Sequence, residues 1–380
     1  MEDKKNALMT SEPPSLRSGD QPPPASVRDV LYRISLGHPI AAGAVGDAML
    51  ELLSLPDRAA RDNFLASMLT GLMARGPAEE HVVEALTAAL SLDGTETSHV
   101  TSPSSSRLLL LAGSGKKGIK SFNITTPSAI VAAAAGASVV KIGSRATSSI
   151  MGSRDLVESL GLPQSRTPAD MATAIERTGL AFVPIEDRIP VLDGVYGGRF
   201  HVLNPLSFGL AALAPGLRGG VLIYGLAHPN VELSARVLSR FGVTQALVVA
   251  SGTTSGYYAD EFGLADRSLT CRVQDGVVGP VVETTAEDLT ALGLAPPGRH
   301  LRPPSVASEA IQWVLDTLAG EGRPEHLHLI CLNTAVMLVT AGLARDLTDG
   351  YQQAEATITC GRAWSKVEEL RKEALCRQTM

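Results

Sequence analysis

The sequence predicts an α/β protein, with a small helical domain at the N-terminus and a larger domain on a mostly parallel central sheet. Three observations carry this. Apolar runs of strand length, Leu108–Ala112, Ser138–Ile142, Gly220–Tyr224 and Gln245–Ala250, alternate with helical patterns from residue 108 to about Ile330, the mark of a parallel sheet. Ahead of them, Val27 to Leu92 carries only the helical period. The chain has 380 residues, 44% hydrophobic and 19% charged, enough to fill one large core and a smaller one.

Taken in order, residues 1–25 are rich in Pro, Ser and charge and end in Pro22-Pro23-Pro24. Such a stretch buries little and is expected to be disordered. The helical domain is read over 26–95. Its apolar stripes are Val30, Leu31 and Ile34; Met49, Leu52 and Leu53; Phe64, Met68, Leu72 and Met73; and Val82, Val83, Leu86 and Leu90. A turn is expected from Ala74 to Glu79, and a Ser/Thr-rich linker from Gly94 to Ser106. The α/β domain is read over 107–375. In it, Pro127 sits where proline suits the first turn of a helix that stops at Gly136. Asn230 to Phe241 reads as an amphipathic helix, and Val273 to Glu283 as a hairpin around Asp275-Gly276. Further helices are expected near Ser305–Leu318, over Leu329–Thr340 and over Asp349–Ala374. His326 and His328 fit alternate positions of a strand, and a metal role for them is discounted. Phe182–Pro205 is the least regular part. No internal repeat is found.

Composition excludes several classes. A net charge of −6 argues against a general nucleic-acid binder, which needs a basic face. Aromatics at 4% leave little to stack on single strands. Cys271, Cys331, Cys360 and Cys376 show neither a C-x-x-C pair nor metal-ligand spacing, so reduced thiols in a cytoplasmic protein are expected. No segment has the apolar length of a membrane span, and the N-terminus lacks a signal pattern.

The chemistry gathers between Gly113 and Ser153. The strand ending near Ala112 leads into a glycine turn, Gly113, Ser114, Gly115, which carries Lys116, Lys117 and Lys120. Thr125 and Thr126 then open a helix. The next strand ends in a basic, hydroxyl-rich turn with Lys141, Gly143, Arg145, Ser148 and Ser149. Backbone N–H groups at a helix start, together with lysines, make a phosphate cradle. Gly-x-Gly alone fits an ordinary strand-to-helix turn equally well; the order of all these features is more specific. It resembles the anthranilate phosphoribosyltransferase family, whose signature segments run close to GTGGDG…FNIST and KHGNR…SS. Here they stand as Gly113–Gly118 with Phe122–Thr126, and as Lys141–Arg145 with Ser148-Ser149, Gly152-Ser153 and Asp155 to Gly161.

The resemblance implies a Mg²⁺-dependent phosphoribosyltransferase with its site in a cleft between the helical domain, joined by part of 182–205, and the C-terminal edge of the sheet. Phosphoribosyl pyrophosphate is implied to bind at Gly113, Ser114, Gly115, Lys116, Lys117, Asn123, Thr125, Thr126, Lys141, Ser148 and Ser149. Asp260-Glu261, after the strand at Gln245–Ala250, matches the family's metal pair; adjacent carboxylates suit Mg²⁺ shared with pyrophosphate, although an isolated Asp-Glu is more often two solvated acids. No residue is assigned to catalysis beyond positioning, which alone can lower a barrier by roughly 7–11 kcal/mol.

This chain departs from the pattern in two places. The family's Gly-Gly-Asp is Gly115-Lys116-Lys117, which attracts anions but crowds a place where backbone approaches the ligand. On the acceptor side, His-Gly-Asn-Arg becomes Ile142-Gly143-Ser144-Arg145, and a His-His-Pro segment is missing where Ile185-Glu186-Asp187-Arg188 stands. The arginine that faces the anthranilate carboxylate falls near Gly194 or Val195, while the FNLLGPL run survives as Val202–Leu206. The acceptor site is read as Ile142, Ser144, Arg188 and Arg199. The expected acceptor is small and aromatic, an amine or phenol of secondary metabolism rather than anthranilate. Two alternatives stay open: a silent homologue that binds a polyanion, and the anthranilate enzyme proper with a rebuilt acceptor site. Nucleoside phosphorolysis fits less well. A homodimer through the helical domain is expected, since short helices such as Val27–Leu36 leave apolar faces uncovered.

Overall fold

The structure is a computed structural model that describes residues 22–94, 98–99, 108–147, 149–294 and 301–378. The expected disordered tail therefore lies outside the described residues up to position 21, as do most of the Gly94–Ser106 linker and Ser148. The chain divides into two compact units, Met1–Ala89 and Leu90–Met380.

The first unit holds α1 (Ala25–Leu36), α2 (Ala44–Leu53), α3 (Arg58–Ala74) and the start of α4 (Glu79–Ser91). The apolar periodicity dictates what is buried: Val30 on α1, Met49 and Leu52 on α2, Met68 and Leu72 on α3, Val82 and Leu86 on α4. Asp57 caps α3 by accepting from the Ala59 N–H at 2.9 Å, which satisfies a donor the helix start would leave orphaned. Gly71 lets α1 and α3 approach closely, because a Cβ there would stand 2.5 Å from the Ile34 Cγ2.

The second unit runs β1 (Ser98–His99), β2 (Leu109–Gly113), α5 (Thr125–Ala134), β3 (Val139–Gly143), α6 (Ser153–Ser159), α7 (Pro168–Thr178), β4 (Leu180–Pro184) and α8 (Pro190–Tyr196). A 3₁₀ turn at Pro205–Phe208 leads to α9 (Leu210–Leu213), β5 (Leu217–Arg218), β6 (Val221–Gly225), α10 (Val231–Arg240), β7 (Gln245–Gly252), β8 (Tyr258–Ala259), β9 (Arg267–Gln274) and β10 (Val277–Thr285). The unit closes with α11 (Ala286–Ala291), α12 (Ala307–Ala319), α13 (Pro324–Ala341), α14 (Leu347–Thr359) and α15 (Arg362–Gln378).

The main sheet has the order β10-β9-β7-β6-β2-β3-β4, with β8 folded back on β7. β7, β6, β2, β3 and β4 are parallel; β9 and β10 extend the sheet antiparallel. Strands β2 and β3 are buried at every position but the last, as expected of strands covered on both faces. The chain runs outward from β2 to β3 and β4, then returns to lay β6 and β7 on the other side of β2. That reversal is the topological switch at which open α/β sheets bind ligands.

Three expectations change. The helix predicted over Leu329–Thr340 begins at Pro324, a favoured first helical position, so His326 and His328 lie on α13 and not on a strand. His326 packs on Phe122 and Trp313, and His328 against Tyr351. The single C-terminal helix is two, broken where Gly361 takes a positive φ of 79°. The segment expected to be irregular from Phe182 first completes the fully buried strand β4, then forms α8. The predicted hairpin is real and longer, with Asp275 (φ 51°) and Gly276 (φ 79°) in its turn, the double positive φ that such two-residue turns require.

Candidate active site

Four parallel strands, β2, β3, β6 and β7, end in glycine: Gly113, Gly143, Gly225 and Gly252. The reason is what crosses their ends. After β7 the chain turns at Thr253–Tyr257, where the Thr253 N–H donates to the Tyr257 carbonyl at 2.9 Å. It then pairs β8 back along Ser251 and Gly252. This lays Asp260-Glu261 over the strand ends. A Cβ on Gly225 would stand 2.1 Å from the Asp260 carbonyl oxygen, and one on Gly113 would stand 2.8 Å from Asp260 Oδ2. Glycine makes room for the acid pair. From the other side, Asn333 of α13 pins the next residue, accepting from the Phe262 N–H and donating to its carbonyl, both at 3.0 Å. Ser251 Oγ donates to the Glu261 carbonyl.

The glycine loop after β2 docks on the same hairpin. The Ser114 N–H donates to the Gly225 carbonyl at 2.8 Å and the Gly118 N–H to the Tyr258 carbonyl at 2.9 Å. Between them, the Gly115 N–H donates to Asp260 Oδ2 at 3.2 Å. Lys117 Nζ lies 3.1 Å from Asp260 Oδ1 and donates to Glu261 Oε1. Both acids are buried. Burial works to raise the Asp260 carboxyl, but Lys117, a hydrogen bond with Glu261 and the Gly115 N–H outweigh it and hold the group below its usual range. Glu261 moves the other way, raised by burial and by the Asp260 charge.

Lys116 points elsewhere. Its Nζ donates to the Tyr196 hydroxyl at 2.5 Å and stands 4.7 Å from the ring centroid. Burial, with no carboxylate to offset it, pushes this ammonium down to about 7. Tyr196 in turn bonds Asn204, whose Nδ2 donates to the hydroxyl at 2.9 Å, and its ring stacks on Phe200 with centroids 5.1 Å apart. Lys141 is buried on β3 beside the acids and donates to the Ile142 carbonyl; burial brings it down to about 8 despite the pull of Asp260 and Glu261.

These groups line one cavity of about 760 Å³ at the C-terminal edge of the sheet, built from residues of the larger unit. The predicted donor-site residues Gly113, Ser114, Gly115, Lys116, Lys117, Asn123, Thr125, Thr126, Lys141 and Ser149 all line it, as do Asp260, Glu261, Ile142 and Ser144. Ser148 lies outside the described residues. Thr126 is buried with its hydroxyl unpartnered, while Ser149 Oγ donates to the Met151 carbonyl. Neither Arg188 nor Arg199 is among the lining residues; the Arg188 guanidinium donates to the Pro215 carbonyl at 3.2 Å. Arg145 lines the cavity at its edge but is paired with Asp155 (3.1 Å) and Glu158 (3.0 Å). Glu186 and Asp187 are both taken up by Arg154 at 3.0 Å.

Sequence reasoning missed the aromatic wall of Tyr196 and Phe200 and the pinning role of Asn333. Pro190, a proline able to start a helix, was the available sign of α8. Asn333 gave none, since a lone polar residue on an apolar helix does not name its partner.

Comparison with known proteins agrees with this geometry. Residues 107–364 match the model of the glycosyl transferase family, a/b domain. The anthranilate phosphoribosyltransferase of Roseiflexus sp. (strain RS-1) is 32% identical over 354 residues, 90% of this chain and 97% of the relative. The chain belongs to the anthranilate phosphoribosyltransferase family. As a member it is a phosphoribosyltransferase, one class of glycosyltransferase. The family's enzyme from Stenotrophomonas maltophilia (strain R551-3) is likewise 32% identical, over 80% of this chain and 85% of its own. Among solved structures, the family member from Thermus thermophilus superposes with a TM-score of 0.70 at 24% identity, covering 91% of this chain and 99% of that one. The Saccharomyces cerevisiae enzyme in complex with PRPP and Mg gives 0.72 at 17% identity, covering 93% and 98%.

Proposed function

We propose that the chain moves the phosphoribosyl group of phosphoribosyl pyrophosphate to a small aromatic acceptor other than anthranilate. What carries this reading is a single cavity in which the glycine loop, Lys141 and the acid pair face the aromatic wall of Tyr196 and Phe200. Its only lining arginine among the described residues, Arg145, is already paired with two carboxylates.

The donor and metal are carried over from the yeast relative, whose structure holds PRPP and Mg. Asp260 and Glu261 fit Mg²⁺: they lie side by side with buried side chains, and Glu261 Oε2 has no hydrogen-bond partner. Among the described residues no cluster of three or more His, Cys, Asp or Glu could hold a metal alone, so donor oxygens would complete the shell, as is usual for Mg²⁺. When bound, the ion neutralises charge gathering on the departing pyrophosphate. The chain's own residues do the rest. Lys117 and Lys141 hold the leaving group, and Asn123, Thr125, Thr126 and Ser149 face the phosphoribosyl side. Tyr196 and Phe200 offer flat surface on which an aromatic acceptor stacks in line with C1. The C1–O bond to pyrophosphate breaks as the bond from the acceptor to C1 forms. The proton shed by the acceptor nitrogen or oxygen passes to the departing pyrophosphate or to water, and positioning supplies most of the acceleration.

One observation favours a second reading. Lys116 Nζ sits on the aromatic wall and is a cation that could meet a carboxylate, which would make the acceptor anthranilate itself. Loss of anthranilate fluorescence, followed with purified protein, donor and Mg²⁺, separates the two. We expect little turnover; a rate of about 1 per second or faster overturns the acceptor proposal. Donor binding with no turnover on any aromatic amine or phenol points to the silent polyanion-binding homologue. We also infer a cytoplasmic homodimer, the compartment resting on four cysteines that form no disulfide.

A further inference from the structure

This inference rests on the reading that Asp260 and Glu261 hold a divalent ion. Lys117 stands in a loop position where the family pattern has an acid, and its ammonium lies within ion-pair reach of both carboxylates, 3.1 Å from Asp260 Oδ1 and bonded to Glu261. A cation so placed occupies the ground that a divalent ion bridging the same two groups would take. Two cations there together repel strongly in a site this dry, and Lys141 on β3 adds a third positive group beside them. The loop backbone cannot withdraw, because it is tied at Ser114, Gly115 and Gly118. The flexible four-carbon stem of Lys117, its side chain 19% exposed, can swing.

We propose that Lys117 is a built-in counter-cation that must leave the Asp260–Glu261 pair before a divalent ion can enter. It leaves only when pyrophosphate gives it a new anionic partner, so metal and pyrophosphate enter together. Without ligand, Lys117 balances the negative charge buried on the acid pair, which an unpaired site could not bear. Once pyrophosphate arrives, the ammonium turns to the phosphate oxygens and the carboxylates are freed for the metal. Coupling of this kind is reciprocal: each ligand tightens the other by the same factor.

Free Mn²⁺ measured by electron paramagnetic resonance tests this on the full chain, with and without inorganic pyrophosphate, against a protein-free pyrophosphate control. The wild type should take up Mn²⁺ alone weakly, and pyrophosphate should tighten it more than about tenfold. Lys117→Met should bind Mn²⁺ alone at least about tenfold tighter than wild type, with pyrophosphate adding little, while Lys117→Arg behaves as wild type. Equal Mn²⁺ affinity in wild type and Lys117→Met without pyrophosphate overturns the proposal and leaves the metal site standing. Absence of Mn²⁺ uptake by every protein under every condition overturns both. If circular dichroism finds Lys117→Met unfolded, the wild type decides alone: tight uptake without pyrophosphate overturns the proposal, and pyrophosphate-dependent uptake supports it.

Discussion

At the residue scale, Lys116 and Lys117 are chain neighbours with opposite electrostatics. Lys117 gains two carboxylates, which hold its charge against burial. Lys116 gains only the neutral Tyr196 hydroxyl, so burial wins and its charge titrates near 7. Below that pH it is an ammonium and draws anions; above it the amine is neutral and the attraction fades. We therefore expect the wild type to lose pyrophosphate affinity relative to Lys116→Met as pH rises from 6 to 8, because the ionisation of pyrophosphate and of the other site groups is common to both proteins. Calorimetric titration of both proteins across this range checks it; parallel slopes would remove Lys116 from the anion site. The acid pair gives a second expectation. Changing Asp260 and Glu261 together to Ala should abolish the divalent-ion dependence of phosphoribosyl pyrophosphate binding, and unchanged dependence would sink the metal assignment.

At the element scale, the site depends on how the β7–β8 hairpin lies across the strand ends. Asn333→Ala removes both bonds that α13 makes to Phe262 and leaves a buried N–H and carbonyl unpaired. Each such orphan costs about 1–3 kcal/mol. The variant should unfold at lower urea with an unchanged m-value, and an unaltered midpoint would show that the hairpin holds without α13. Gly225→Ala should act more locally, because its Cβ would meet the Asp260 carbonyl at 2.1 Å. Helix α13 was only partly legible. Its apolar run announces a buried helix, but the two histidines near its start also fit the alternation of a strand, and Pro324 opens the first turn ahead of them.

For the whole molecule, the expectation is a homodimer through the helical domain. Tyr32 (64% exposed), Leu36 (49%) and Leu50 (42%) leave apolar area on α1 and α2, of the kind that association covers. Light scattering at micromolar concentration should give twice the 39.7 kDa chain mass. A Leu36→Asp, Leu50→Asp variant should move toward that single mass if these helices form the contact, and a monomeric wild type would refute it.

The sequence by itself determined the α/β class, the strands and many of the residues that line the cavity, because these rest on short-range rules. Strand-length apolar runs, a proline in a first helical turn and glycines at strand ends act within a few residues. The two signature segments were legible for the same reason, and so was the Asp260-Glu261 pair. Tertiary structure alone decided what these residues do to one another. Lys117 and Asp260 are 143 residues apart in sequence, and no local pattern says that a hairpin returning along β7 brings them within 3.1 Å. Nor does any spacing reveal that Lys116 meets Tyr196 across the cavity while its neighbour meets two acids. Charge and burial act through space, so the contrast between two adjacent lysines exists only once the sheet has gathered its strand ends.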